Sequence, residues 1–100
     1  MNKSEMIEEL AIKANLNHKV AETIVNLVVD SMKSALIEGD RIELRGFGSF
    51  HIEHYQAYIG RNPKTGDSIK VPPKKLPFFK VGKELKEKIN RKFLQELEQS

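Results

Sequence analysis

The sequence has 100 residues, the size of one domain, and no cysteine, which excludes a disulfide framework and thiolate chemistry. Seventeen Lys and Arg against fourteen Asp and Glu leave a net charge of +3, too small an excess to identify a partner. The distribution is more informative: residues 1–50 hold six cations and eight carboxylates (−2), residues 51–100 eleven and six (+5), and residues 61–92 eleven and three (+8). Such segregation predicts one surface made for an anion.

In chain order, Asn2 followed by Glu5 forms a helix-start signature. Ile7, Leu10, Ala11 and Ala14 then recur at helical spacing. The break "NLN" offers a second cap at Asn17, predicting a second helix from about His18 to Ile37, with Gly39 placed to end it. That second helix is apolar on most sides: Val20, Ala21, Ile24, Val25, Leu27, Val28, Val29, Met32, Ala35, Leu36 and Ile37 cover more than one stripe. A chain this small has too few other elements to cover it, which predicts a dimer interface.

"RIELRGFGSFHIEHY" switches to strand periodicity. Ile42 and Leu44 alternate with polar residues, as do Phe50 and Ile52, and two strands flank the glycines of "GFG". "SIKV" (Ser68 to Val71) alternates again, whereas the three prolines of "PPKKLPFFKVG" demote that segment to an edge or irregular stretch. From Lys83, the residues Leu85, Ile89, Phe93 and Leu97 recur every fourth position, as in a third helix whose last turns pack on the body. The expected fold is α+β, in one domain over residues 1–100. It has a helical N-terminal half forming an intertwined dimer body, a three-stranded antiparallel sheet with a long protruding β-arm over about 54–75, and a C-terminal helix.

Catalytic readings find little support. "GRNPKTG" runs into Asp67 and not into Lys and a hydroxyl residue, so it is not a phosphate loop. "GFGSFH" continues as a strand and has His51 where a dinucleotide fingerprint needs its third glycine. His51 and His54 lie three apart on a strand and point to opposite faces, so they cannot readily share a metal. No catalytic role, cofactor, metal or small-molecule substrate is expected. The N-terminus resembles no signal peptide and no apolar run reaches membrane-spanning length, so a cytoplasmic location is expected.

The β-arm has few large apolar residues, and an isolated ribbon of this kind is marginal in water. Each side is eight to ten residues, roughly 25–30 Å. Arg61, Lys64, Lys70, Lys74 and Lys75 lie along it, which suits a nucleic-acid backbone. At its tip, "GRNPKTGD" admits two readings. In the first, Pro63 simply sets a turn through its fixed φ. Alternatively it is a wedge that enters a base step and kinks the duplex, with Arg61 and Asn62 beside it in the minor groove.

"GRNPKTGD", with "RIELRGFGSF" before it and "PFFKVGKELKEKIN" after it, resembles the bacterial HU and integration host factor family over about residues 1–90. "IELRGFGSF" is more similar to the β-subunit branch of integration host factor than to a typical HU. The resemblance implies an intertwined dimer, homomeric or with a paralogous subunit, that bends double-stranded DNA in the nucleoid with two minor-groove arms. It makes Pro63 the wedge, with Arg61, Asn62 and Lys64 beside it. It places Lys3, Lys80, Lys83 and Lys86 against flanking DNA, and Phe47, Phe50 and Phe79 in an aromatic core. Glu43 and Arg45 match residues that help to recognise a sequence feature; alone, they equally read as an exposed cross-strand charge pair worth under about 1 kcal/mol. The arm departs from the family pattern: Tyr55 and Tyr58 stand where arginines are usual, implying a salt slope lower by about one per lost phosphate contact. A different class of function for the same basic arm is RNA binding or protein assembly.

Overall fold

The computed structural model describes residues 1–99 and divides into two compact units, Met1–Glu38 and the remainder from Gly39. The first is a helical hairpin. Helix α1 spans Lys3–Lys13; its cap Asn2 accepts the Glu5 N–H through Oδ1 at 2.8 Å. The chain leaves α1 through a left-handed residue, Asn15 (φ 53°), while Leu16 N–H bonds the Ala11 carbonyl at 2.9 Å and Asn15 N–H bonds that of Ile12. This is the Schellman closure that satisfies the last carbonyls of a helix. Asn17 Oδ1 then caps α2 (His18–Ile37) through Val20 N–H at 2.9 Å. Both helices thus begin where their caps predict, and Gly39 follows the end of α2 at φ 84°.

Ile7, Ala21 and Val25 are the buried apolar side chains among the described residues, with Leu10, Ala11 and Val29 packed against them. Ala21, Val25 and Val29 lie on one side of α2 and pack with Ile7, Leu10 and Ala11 of α1. Val20, Ile24, Leu27 and Val28 form a second stripe at i, i+4, i+7 and i+8, and this stripe is exposed: Leu27 is 66% accessible and Val28 54%.

The second unit holds strands β1 (Ile42–Leu44), β2 (Gly48–Tyr55), β3 (Tyr58–Arg61), β4 (Ser68–Val71) and β5 (Lys74–Val81), then helix α3 (Lys83–Gln99). A three-stranded antiparallel sheet has the order β1-β2-β5, and β3 and β4 form a separate ribbon. The segment expected to be an edge or irregular is a full edge strand: β5 pairs with β2 along its whole length, Pro77 opposite Ile52. An edge strand tolerates proline because one of its sides needs no donor.

Pairing and alternation sort the side chains onto two faces. Phe50 lies opposite both Ile42 and Phe79, so Ile42, Leu44, Phe50, Ile52, Phe79 and Val81 share an apolar face. Phe79 meets Phe47 at 5.3 Å and Phe50 at 4.8 Å between ring centroids, the aromatic cluster the resemblance implied. Gly48 makes that cluster possible. A Cβ at this position would lie 2.5 Å from the Lys80 carbonyl oxygen and 2.7 Å from the Phe79 ring. Gly48→Ala is therefore expected to push β5 away from β2 and to destabilise the protein by about 1–3 kcal/mol. Urea unfolding checks this; an unchanged midpoint contradicts it.

Helix α3 begins at Lys83 as predicted and continues to Gln99. The expected packing of its last turns is not found in the single chain. No residue of α3 is buried, and Phe93 remains 54% exposed. No helix among the described residues is long and apolar enough to cross a membrane.

Candidate nucleic-acid interface

The arm grows directly out of the sheet. The last β2–β5 pair is Tyr55 with Lys74 and the first β3–β4 pair is Tyr58 with Val71. Gln56 and Ala57 on one side, and Pro72 and Pro73 on the other, lie between them unpaired. Two residues are skipped on each strand, so the register carries across without a slip. The cause is chemical: neither proline has an N–H to give to the ladder. The arm is thus a four-pair ribbon set beyond a proline interruption, not the continuous hairpin of eight to ten residues a side that the sequence suggests.

The tip is ordered by its own turn chemistry. Asn62 N–H bonds the Asp67 carbonyl at 2.9 Å, Gly66 N–H bonds the Asn62 carbonyl at 2.7 Å, and Asn62 Oδ1 accepts the Lys64 N–H at 2.9 Å. Thr65 Oγ1 accepts the Asp67 N–H at 3.3 Å. Gly66 takes φ 75°, a left-handed value that a side chain would strain. Asn62, which the sequence marks as a groove reader, has its side-chain oxygen committed to shaping the turn, as Asn does in an Asx-turn. The result is a closed loop with Pro63 exposed on its outside, between Arg61 and Lys64.

Alternation puts Ile59, Arg61 and Lys70 on one face of the ribbon and Tyr58, Ile69 and Val71 on the other. Arg61, Lys64 and Lys70 make no ion pair among the described residues and are exposed. At the base of the arm, Lys74 stands over the Tyr55 ring, 5.9 Å from its centroid, while Lys75 lies on the opposite face, across from His54.

On the sheet, Lys80 lies opposite Ser49 on the polar face, which also carries Glu43. Glu43 pairs with Arg41, just before its strand (Nε to Oε1, 3.0 Å), not with Arg45, so the expected Glu43–Arg45 charge pair does not form. Arg45 sits in the turn after β1 and makes no ion pair among the described residues. Arg41, just before β1, is the cation that the sequence reading did not pair with Glu43. Lys83 and Lys86 occupy the start of α3, Lys83 loosely paired with Glu87 at 3.9 Å. Lys3, in the first unit, is the exposed first residue of α1. His51 Nε2 bonds Glu53 Oε1 at 2.8 Å, and no cluster of three potential metal ligands occurs among the described residues.

A two-helix hairpin, a three-stranded sheet, a cationic ribbon with a proline at its tip and a C-terminal helix define a small α+β protein of the β-arm class. Residues 1–90 match the family described as "Bacterial DNA-binding protein", and the chain belongs to that family of HU and integration host factor proteins. It is 48% identical over 91 residues to the integration host factor subunit beta of Marinobacter nauticus, covering 90% of this chain and 93% of that one. It is 50% identical to the same subunit of Halorhodospira halophila, covering 90% and 89%. Among solved structures it is similar to HU of Anabaena in a cocrystal with DNA, with a TM-score of 0.79, 36% identity, and coverage of 89% of this chain and 97% of that one. HU of Thermotoga maritima gives a TM-score of 0.60 at 30% identity, covering 89% and 98%.

Proposed function

We propose that this protein is an architectural DNA-binding protein of the nucleoid, with no catalytic activity, that works as a dimer, with itself or with a paralogous subunit. The two units of the chain act as one domain within that dimer. The exposed stripe of α2 and the half-covered aromatic face of the sheet close against the partner. Two arms then follow the minor groove, and Pro63 at each tip enters a base step and holds the duplex bent. Arg61 and Lys64 flank the wedge, and Lys70, Lys74 and Lys75 track the backbone. Lys3, Lys80, Lys83 and Lys86 hold flanking DNA, and Arg45 and Glu43 contribute to site choice.

The observation that carries this reading is the tip. A loop closed by its own hydrogen bonds presents an exposed proline ring between two unpaired cations. A relative at 36% identity was crystallised with DNA, which supports DNA as the ligand. Smooth bending of a short duplex costs about 1–6 kcal/mol, which contacts with the flanks offset.

Competition of a DNA duplex against an RNA duplex of the same sequence tests the ligand class. The shallow RNA minor groove does not accept a wedge shaped for B-form DNA, so DNA is expected to win. Preference for RNA, or indifference to both with retained self-assembly, contradicts the proposal. In the same assay Arg61→Ala is expected to weaken DNA binding and to lower the salt slope by about one. An unchanged affinity and slope means that the arm does not track the groove.

A further inference from the structure

The polar face of the sheet carries an apolar strip with no role in the core. Lys74, Leu76, Phe78 and Lys80 alternate on β5 and project to the face opposite the Phe47–Phe50–Phe79 cluster. Phe78 is 51% exposed and Leu76 44%. Phe78 rests on His51, 5.4 Å between ring centroids, which fixes its position on the surface. Tyr55, on the same face and diagonal to Leu76, extends the strip to the base of the arm. Two exposed aliphatic or aromatic side chains side by side on a half-polar edge strand also invite aggregation, so their presence calls for an occupant.

We propose that Leu76 and Phe78, with Tyr55, form a seat for the deoxyribose edge of the bound duplex, and that they contribute a salt-insensitive share of the affinity. This rests on the DNA-binding reading above. Three features select DNA as the occupant. The strip ends at Tyr55 and Lys74, the last sheet pair before the cationic arm, which continues in the same register beyond the prolines. It is bracketed by Lys74 and Lys80, six residues or roughly 20 Å apart along the strand, the axial length of about six nucleotides. Its centre repels phosphate, because Glu53 lies directly opposite Leu76. A nucleic-acid strand laid along β5 therefore meets cations at both ends, where phosphates are favoured. In the middle it meets apolar side chains beside a carboxylate, where the sugar, and not the phosphate, is the compatible group. The His51–Glu53 bond at 2.8 Å holds that carboxylate on the strand beside the strip.

The test is equilibrium binding of a DNA duplex, by fluorescence anisotropy at three salt concentrations, to the full chain and to the variants Phe78→Ala and Leu76→Thr. The second variant keeps a strand-forming residue, and thermal unfolding verifies that each variant folds. Each folded variant is expected to bind about three- to tenfold more weakly at every salt concentration, on a line parallel to that of the parent, since an apolar contact releases no counterion. Lys80→Ala is expected to change the slope by about one. Parent-like affinity in both folded variants overturns the sugar seat and leaves the DNA reading standing, as does a loss accompanied by a changed slope. A parent that binds no DNA overturns the reading beneath it as well.

Discussion

Val28→Lys is expected to abolish the fold at micromolar protein concentration, not merely to separate two folded subunits. The single chain has a very small interior. Ile7, Ala21 and Val25 are its buried apolar side chains among the described residues, while Leu27, Val28 and Ile37 of α2 are more than half exposed. Exposed apolar stripes of that extent belong to an interface. If the interface and the core are one structure, a lysine at its centre has no water and no partner, and an uncompensated buried charge costs several kcal/mol. A protein of this size has about 5–15 kcal/mol of stability in total. Circular dichroism and sedimentation velocity read the outcome together. The variant is expected to lose its helical signal and cooperative melting, and the parent to sediment as a dimer whose midpoint rises with concentration. A folded, compact monomer in either case contradicts the shared core.

Pro63→Ala is expected to separate bending from attraction. The substitution changes no charge, and the bonds that close the tip come from Asn62, Lys64, Thr65, Gly66 and Asp67, none from residue 63. The loop therefore survives, and so does the electrostatic part of binding. What is lost is the ring that holds two base pairs apart. Affinity for a nicked duplex, which bends at little cost, is expected to stay within about threefold of the parent, while affinity for an intact duplex falls by a larger factor because the deformation is no longer supported. A proline that only shaped the turn gives another pattern: a looser arm and equal losses on both duplexes.

Much of the fold was legible because its signals are local. Asn2 and Asn17 are caps whose bonds involve the next three residues, so helix starts followed from the chain alone. The switch from helical spacing to alternation at Ile42 marked the sheet for the same reason. Where pairing partners decide, the chain alone says less. Three prolines leave an edge strand or an irregular stretch open, and β5 forms as the edge because β2 pairs with it on one side. Pro72 and Pro73 act instead on the ribbon, where they interrupt the ladder in register. Asn62 beside the wedge does not exclude a role in the turn: its Oδ1 accepts the Lys64 N–H, a bond that its spacing to Gly66 allows. Arg41 and Arg45 both stand two residues from Glu43, and alternation alone does not choose between them; Arg45 falls in the turn after β1, and Glu43 bonds Arg41. Within the second unit, the candidate site is spread over an arm, a sheet face and the start of α3. No short motif contains such a surface, and the strip of Leu76 and Phe78 became visible only when β5 was placed beside β2.

The bend itself is the most direct test of an architectural role. A duplex of about 35 base pairs, long enough to meet both arms and the flanks, carries a donor and an acceptor at its ends. With the parent protein at saturation, end-to-end energy transfer is expected to rise well above that of free DNA, and to rise less with Pro63→Ala at equal occupancy. Binding at saturation with the transfer of a straight duplex contradicts the proposed function.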